Sequence, residues 1–283
     1  MMFDNTLTKR LHEARKKGIL VSAHRGVGGG NIPFNTLAGF EVALRQGADI
    51  IETDVIKSVD GVLYVFHIGQ EKNHLNRDIN LTEMTSEEIN QVRYVNPDNC
   101  LTDCRIPTLD EVFEQLKGRC LINLDHGWDG DWFEDMLNAV RRHNMQDQVI
   151  IKTPSSIHYL KQMEELGSDL MFMPIISEND TVSIQIEKMK VNYIGAEVVF
   201  ANDDAPVASK EYIEYQHSKG RLIWVNPILY DSRVPLCGGH TDDISVTGNP
   251  DQGWGWLIDR GFDILQTDWP LMLIDYLRSR GLR

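Results

Sequence analysis

The chain has 283 residues, of which 42% are hydrophobic and 25% are charged, a composition typical of globular domains. Its formal net charge of −14 argues against a general nucleic-acid binder, because neutralising phosphates requires a basic surface. No apolar run approaches the roughly 20 residues that span a bilayer, so stable membrane insertion is not expected.

The cysteines and the first residues indicate the compartment. The four cysteines have neither CxxC spacing nor the density of a secreted disulfide scaffold. The first residues lack the pattern of a signal peptide. We therefore expect a cytoplasmic protein with reduced thiols. A zinc site at Cys100 and Cys104 is an alternative, although good partner ligands are missing. The sequence carries no signal for oligomeric state.

Short apolar runs alternate with helical patterns along almost the whole chain. The predicted strands are 20–23, 50–56, 120–124, 149–152, 170–176, 193–199, 222–226 and 264–267. A hairpin signal at Asp60-Gly61 adds a strand at 63–67. The predicted helices are 36–46, 86–93, one that starts after Thr108, 132–143, 156–166, 182–189, 209–219, 255–260 and 271–280.

The number of strand and helix pairs determines the predicted fold. Eight units at this length are what an α/β protein of the (β/α)8 barrel class, a TIM barrel, requires. We expect one domain over residues 1–283, with a small insertion at about 58–106 and a long loop at 229–250 after the seventh strand. An open doubly wound sheet is the alternative, but its glycine fingerprint is missing.

Polar side chains follow several predicted strands, and barrel enzymes build their sites at these strand ends. Glu52 and Asp54 are two residues apart, so both leave the same face of one strand. Such carboxylates repel each other unless a cation lies between them, and Mg²⁺ and Ca²⁺ prefer these oxygens. His24 and His67 add groups that exchange protons near neutral pH. The pattern predicts metal-assisted hydrolysis.

Several other strand-end residues have two interpretations. Asp268 either belongs to the site or caps the helix that starts near Pro270. Lys152 either contacts substrate or pairs with a neighbouring acid. Trp128 and Trp254 either pack or line the pocket. The loop at 229–250 either closes over substrate or is a surface loop.

The ordered motifs resemble those of the glycerophosphodiester phosphodiesterases, a branch of the phosphatidylinositol-phospholipase-C-like barrels. The resemblance covers most of the chain. The matching segments are His24-Arg25-Gly26 (HRG), Pro33-Phe34-Asn35-Thr36 (PENT), residues 47–55, Asp60-Gly61, His67, Leu75-Asn76-Arg77, Ile106-Pro107-Thr108-Leu109 and Thr267-Asp268-Trp269-Pro270.

The resemblance implies roles for particular residues. His24 and His67 would be the acid–base pair, and Glu52, Asp54 and Asp125 would hold a divalent metal, Mg²⁺ or Ca²⁺. Arg25 would bind a phosphate oxygen. The further candidates for substrate binding are Asn35, Lys152 and Trp224.

Three positions depart from the family pattern. Phe34 replaces the acid of PENT, Ile68 replaces the acid after the second histidine, and Gly127 replaces the lysine after the third metal ligand. His126 or Lys152 would supply the missing charge. These changes predict a preference for a bulkier or less polar alcohol than glycerol, unless the side chains only pack.

The expected activity is metal-dependent hydrolysis of a small phosphodiester to an alcohol and a phosphomonoester. The phosphomonoester would be sn-glycerol 3-phosphate for the ordinary family substrate, which implies a role in glycerol and lipid metabolism. The nucleophile is either water or a substrate hydroxyl. A lysophospholipase-D-like or cyclising phosphodiesterase is one alternative. A non-catalytic protein that binds phosphate esters is the other.

Overall fold

The computed structural model describes residues 8–229 and 233–283. Its strands are β1 Leu20–Ala23, β2 Ile50–Lys57, β3 Leu63–Val65, β4 Leu121–Asp125, β5 Val149–Pro154, β6 Met171–Ser177, β7 Asn192–Tyr193, β8 Gly195–Val199, β9 Leu222–Val225 and β10 Ile264–Thr267. Eight of them, all but β3 and β7, run parallel in one ring. Strand β1 pairs with both β2 and β10, so the ring is closed. The predicted (β/α)8 barrel is confirmed.

Helices cover the outside of this barrel. They are α1 Lys9–Arg15, α2 Leu37–Gln46, α3 Glu71–Leu75, α4 Ser86–Gln91, α5 Leu109–Leu116, α6 Phe133–Arg142, α7 Ile157–Leu166, α8 Ser183–Ile186, α9 Lys210–Ser218, α10 Asp242–Thr247, α11 Trp256–Arg260 and α12 Pro270–Ser279. Thr36, which was predicted inside the helix, caps α2. Thr108 forms a capping box with Glu111 at the predicted start of α5. Within the described ranges, no helix is both long and apolar enough to cross a membrane.

The alternation of side chains along the strands separates an apolar lower layer from the polar end of the barrel. Ile50, Leu121, Ile150 and Ile264 lie in one buried cluster that Leu11 of α1 joins. Two and four residues further along β2 and β4, the same face presents polar side chains. In the β2–β4 register, Glu52 faces Asn123, and Asp54 faces Asp125. This register places the carboxylates at the C-terminal end of the barrel.

Three predicted elements differ from the structure. The predicted strand at 193–199 is divided into β7 and β8. The predicted hairpin strand ends at Val65, so His67 lies beyond it. The predicted helix at 182–189 is only α8, because its β-branched residues are poor helix formers.

Both segments that interrupt the repeat contain helices that the sequence analysis did not predict. The insertion at about 58–106 carries β3, which pairs antiparallel with β2, and the short helix α3. The loop after β9 carries α10, which is capped by Thr241. Residues 230–232 of the predicted loop lie outside the described residues.

Candidate active site

Arg25 and Asn35 fix the two carboxylates of β2. The backbone N–H of Arg25 donates to Glu52 Oε2 at 2.9 Å, and its Nε lies 3.1 Å from Asp54 Oδ2. Asn35 donates from Nδ2 to Asp54 Oδ2 at 2.9 Å and accepts from Thr53 Oγ1 at 2.8 Å. The amide of Asn35, a predicted substrate ligand, is thus bonded to β2, which indicates that it positions Asp54.

Three residues of the site have left-handed backbones. The φ angles are 55° for Arg25, 53° for Asn35 and 54° for His126. Such a conformation costs about 1–3 kcal/mol for a residue with a side chain, and it persists only where neighbouring contacts hold it. The hydrogen bonds of Arg25 and Asn35 to β2 are contacts of this kind.

His24 follows β1 and contacts the end of the last strand. Its Nδ1 lies 2.8 Å from Asp268 Oδ1. The cap residue of α12 is Trp269, so the interpretation of Asp268 as a helix cap is wrong. The backbone N–H of Asp268 donates to Asp242 Oδ2 at 2.9 Å. Asp242 therefore fixes the backbone of the residue that holds the His24 ring.

Asp242 itself is buried on α10. Its carboxylate accepts hydrogen bonds from Trp254 Nε1 at 2.7 Å and from Thr267 Oγ1 at 2.9 Å. Burial raises the pKa of Asp242 to about 7, against the effect of these donors. Trp254 packs in this network, as one of its two interpretations held, and it has 2% of its surface exposed.

His67 and His126 lie side by side, with ring centroids 4.5 Å apart. Together with Asp54 they offer three ligand atoms that all lie within 4.8 Å of one another. His67 Nδ1 is 2.8 Å from the carbonyl oxygen of Ile68, and His126 Nδ1 is 2.6 Å from Asp129 Oδ2. Each ring is thus held by a contact at Nδ1, and Nε2 is its remaining nitrogen.

The predicted metal ligands Glu52, Asp54 and Asp125 do not all join this compact group. Among the described residues, only Asp54 of the three belongs to it. Glu52 lies deeper on β2 and accepts from Arg25, while Asp125 Oδ1 accepts from the backbone N–H of His126 at 2.9 Å.

The carboxylates have unequal affinities for protons. Burial, followed by the charges of Asp54 and Asp125, raises the pKa of Glu52 well above its ordinary value. Burial also raises the pKa of Asp125. Burial acts in the same sense on Asp54, but Arg25 and the two neighbouring histidines outweigh it and lower the pKa. The negative charge of this cluster is thus incompletely balanced by the protein.

The two histidines are shifted in opposite directions. Burial lowers the pKa of His67, although the charge of Asp54 opposes the shift. Burial also opposes protonation of His126, but the hydrogen bond to Asp129 and the charges of Asp125 and Asp54 raise its pKa to about 9. A cation bound near these carboxylates would compete with the proton on His126.

Lys152 and Trp224, the two residues predicted to bind substrate from β5 and β9, are both buried in the structure. Lys152 is fully buried, forms an ion pair with Glu197 and lies 3.4 Å above the Trp224 ring. Trp224 belongs to the lower apolar layer, and its Nε1 donates to Asn226 at 2.9 Å. Neither residue has exposed surface for contact with a substrate, because alternation along the strand directs both side chains into the barrel.

The three departures from the family pattern have different surroundings. A Cβ at Gly127 would lie 2.2 Å from Met136 Sδ, so this position packs against α6. Ile68 packs against the outer core. Phe34 lines a cavity of about 230 Å³ together with Ile32 and Pro33. Of the three departures, Phe34 is therefore the one that lines an open cavity.

The remaining candidates divide between the site and the surroundings. Trp128 stacks on His126 with ring centroids 5.3 Å apart, so it borders the site. Cys100 and Cys104 are free thiols outside the compact group of ligands. His240, on the loop after β9, stacks on Trp256 at 3.8 Å. This contact packs that part of the loop against the barrel.

Sequence analysis missed the contributions of Asp129 and Asp242. For Asp129 there was a local signal, because it lies three residues after His126, just beyond a strand. No local signal indicated Asp242, because its partners Thr267 and Asp268 are about 25 residues away.

A family model and several curated proteins are similar to this chain in sequence. A family model described as a domain of unknown function matches residues 172–277. A glycerophosphodiester phosphodiesterase of Caldanaerobacter subterraneus subsp. tengcongensis is 33% identical over 158 residues, which are 53% of this chain and 64% of that protein. A glycerophosphodiester phosphodiesterase of Bacillus altitudinis is 29% identical over 224 residues, which are 72% of this chain and 83% of that protein. The chain spans 57% and 64% of the lengths of two curated relatives that are 33% identical to it.

Solved structures share the fold. A glycerophosphoryl diester phosphodiesterase from Parabacteroides distasonis has a TM-score of 0.78 at 20% identity, over 99% of this chain and 94% of that one. A phosphodiesterase from Oleispira antarctica, solved with the product sn-glycerol-3-phosphate, has a TM-score of 0.66 at 17% identity, over 94% of this chain and 99% of that one.

The fold and the strand-end cluster define a (β/α)8 barrel with a polar site at the C-terminal ends of its strands. The sequence relatives named above are glycerophosphodiester phosphodiesterases, and the chain is similar to them over much of its length.

Proposed function

We propose that this protein hydrolyses a phosphodiester of the glycerophosphodiester type to an alcohol and a phosphomonoester. The observation that carries the proposal is the group formed by His24, Arg25, Asp54 and His67 at one end of the barrel. The similarity to glycerophosphodiester phosphodiesterases supports the same reaction class. The product bound to the Oleispira antarctica protein makes sn-glycerol 3-phosphate the first phosphomonoester to test.

The side chains suit the steps of such a reaction. Arg25 carries the charge that holds a phosphate oxygen. His67, whose pKa is lowered by burial, is suited to accept the proton of the nucleophile. His24, which is held by Asp268 at Nδ1, is suited to protonate the leaving alkoxide. The nucleophile is water in a hydrolysis, or a substrate hydroxyl in a cyclising reaction.

A divalent metal, Mg²⁺ or Ca²⁺, fits the residues present. Glu52, Asp54 and Asp125 offer oxygen ligands, and the raised pKa values of Glu52 and Asp125 indicate that positive charge is lacking there. When bound, the metal neutralises charge on a phosphate oxygen. Arg25 and Asn35 orient the carboxylates of β2 for this purpose.

The cavity beside Phe34 favours a second candidate within the same reaction class. Its apolar wall would accommodate a larger or less polar alcohol group, as in a lysophospholipase-D-like reaction. His74 also lines this cavity, and burial, followed by the charges of Arg25 and His67, lowers its pKa to about 4, which relates the cavity to the site. We therefore expect small glycerol diesters to be poorer substrates than larger ones.

The test is a panel of glycerophosphocholine, glycerophosphoethanolamine, lysophospholipids and sugar phosphodiesters, each with Mg²⁺, Ca²⁺ or Mn²⁺. Released alcohol and phosphomonoester are measured, and phosphorus NMR detects any cyclic phosphate. Highest kcat/KM on the small glycerol diesters would disprove the preference for a larger group. Binding of diesters without turnover under all conditions would instead indicate a non-catalytic binding protein.

A Phe34→Glu variant sharpens this test because it restores the acid of the family motif. We expect it to lower kcat/KM for lysophospholipids relative to glycerophosphocholine. Ile68→Glu is a poorer choice because Ile68 packs against the core. If the ratio of these two kcat/KM values were the same in Phe34→Glu and in the wild type, the cavity would not determine specificity.

A further inference from the structure

We propose that Asp54, His67 and His126 form a binding site for Zn²⁺ or a similar transition-metal ion. This set of ligands differs from the three carboxylates that suit Mg²⁺ or Ca²⁺. The two sets share only Asp54.

The donor atoms favour this class of ion. Two imidazole nitrogens and one carboxylate oxygen match the ligands of zinc, whereas hard cations prefer oxygen alone. Zinc ligands at ~2.0–2.1 Å from the metal lie about 3.4 Å apart in a tetrahedron. The three ligand atoms already lie within 4.8 Å of one another, which is close to this spacing.

The surroundings of both rings orient them as in metal sites. A histidine that binds a metal usually bonds its other ring nitrogen to a carboxylate or a backbone carbonyl. His126 Nδ1 bonds to Asp129, and His67 Nδ1 bonds to the carbonyl of Ile68. Both bonds leave Nε2 as the ligand atom. Trp128 stacks on His126 and further restricts the rotation of that ring.

The backbone also holds His126 in place. Its φ is 54°, and its N–H donates to Asp125 at 2.9 Å. This left-handed turn directly after β4 is what brings the ring beside His67. The compact group therefore depends on a local conformation, as well as on the residue types.

One consequence rests on the proposed function. A metal on His67 Nε2 takes the lone pair that the proposed reaction uses to accept a proton. Zn²⁺ would then compete with catalysis at the same imidazole. Zn²⁺ binding is measured without substrate, so the test of the site does not depend on the proposed function.

The test uses the full chain stripped of metal. Zn²⁺ binding is followed by calorimetry, and Co²⁺ binding by visible absorption, which reports the ligand type. We expect His126→Gln to lower Zn²⁺ affinity at least about 100-fold, and Asp129→Asn to lower it about 10–100-fold, the usual range for the partner of a metal-binding histidine. Mg²⁺ affinity should change less than Zn²⁺ affinity in both variants.

The matched control is His143→Gln. His143 also bonds to an aspartate, Asp110, at 2.8 Å, but it lies outside the compact group. Its Zn²⁺ affinity should equal that of the wild type. Equal Zn²⁺ affinity in His126→Gln, Asp129→Asn and the wild type would overturn the proposal, and so would a Co²⁺ spectrum typical of oxygen ligands alone. Asp129→Asn keeps the test decisive if His126→Gln fails to fold.

Discussion

The first half of the barrel, from β1 to β4, and the second half, from β5 to β10, carry similar residue types at their strand ends. The two halves differ in how the charges of these residues are compensated. On β5, β8 and β9, Lys152 pairs with Glu197, and Asn226 donates to Glu197 at 2.8 Å. On β2 and β4, burial keeps the pKa of Glu52 raised despite the charges of Arg25 and Lys152, and it keeps the pKa of Asp125 raised despite those of His126 and Lys152.

This difference separates structural from functional polar residues. A buried charge with an oppositely charged partner is compensated within the fold. A group of buried carboxylates that the protein does not neutralise favours a cation or a proton from outside. Residue type alone does not distinguish these two cases, whereas their contacts do.

The largest expected effect is on turnover in the first half of the barrel. His24→Ala and His67→Ala should each reduce kcat by roughly 10²–10⁴, the range for loss of a positioned acid or base. KM should change less. Steady-state kinetics on the best substrate of the panel measures this, with His143→Ala as a control on the surface. Near-full activity in either variant would make that histidine structural.

The next largest effect is on stability in the second half. Lys152→Met leaves the charge of Glu197 buried without its partner, so we expect a loss of about 3–5 kcal/mol in the free energy of unfolding. Denaturant unfolding measures it. The double variant Lys152→Met/Glu197→Leu should recover much of the loss, because an apolar pair can replace a buried ion pair. If Lys152→Met kept its stability and lost substrate affinity, Lys152 would belong to the site.

Glu52→Gln should have opposite effects on metal binding and on stability. It removes one oxygen charge, so Mg²⁺ or Ca²⁺ affinity should fall by at least about tenfold. It also removes repulsion within the carboxylate cluster, so the metal-free protein should be more stable than the wild type. Calorimetry and denaturant unfolding measure the two effects. Unchanged metal affinity would exclude Glu52 as a ligand.

The smallest effect concerns pH and Asp242. Its pKa is raised from 3.8 to about 7 in the folded protein, so the folded state binds more protons than the unfolded state between these values. The stabilisation from this group is complete below the unfolded pKa and is lost as the pH rises towards about 7. Asp242→Asn should remove this component, by roughly 1 kcal/mol or more. Denaturant unfolding at several pH values gives the slope of the free energy of unfolding against pH for the wild type and for Asp242→Asn. Identical slopes would contradict the raised pKa of Asp242.

The sequence predicted the features that depend on local periodicity. Alternation along β2 placed Glu52 and Asp54 on one face, apolar runs located the barrel strands, and Thr108 marked the start of α5. It did not predict that Lys152 and Trp224 would be buried together, because Glu197 and Trp224 lie 45 and 72 residues further along the chain than Lys152. The place of His126 beside His67 depends on a left-handed backbone that no propensity indicated.

The contact between His24 and Asp268 joins residues 244 positions apart. It exists only because β10 closes the ring against β1. During synthesis the ribosome releases β1 long before β10, so a nascent chain holds most of the site but lacks the aspartate that orients His24. The candidate site can therefore be completed only after β10 has been synthesised, and a chain cut before β10 would lack this contact.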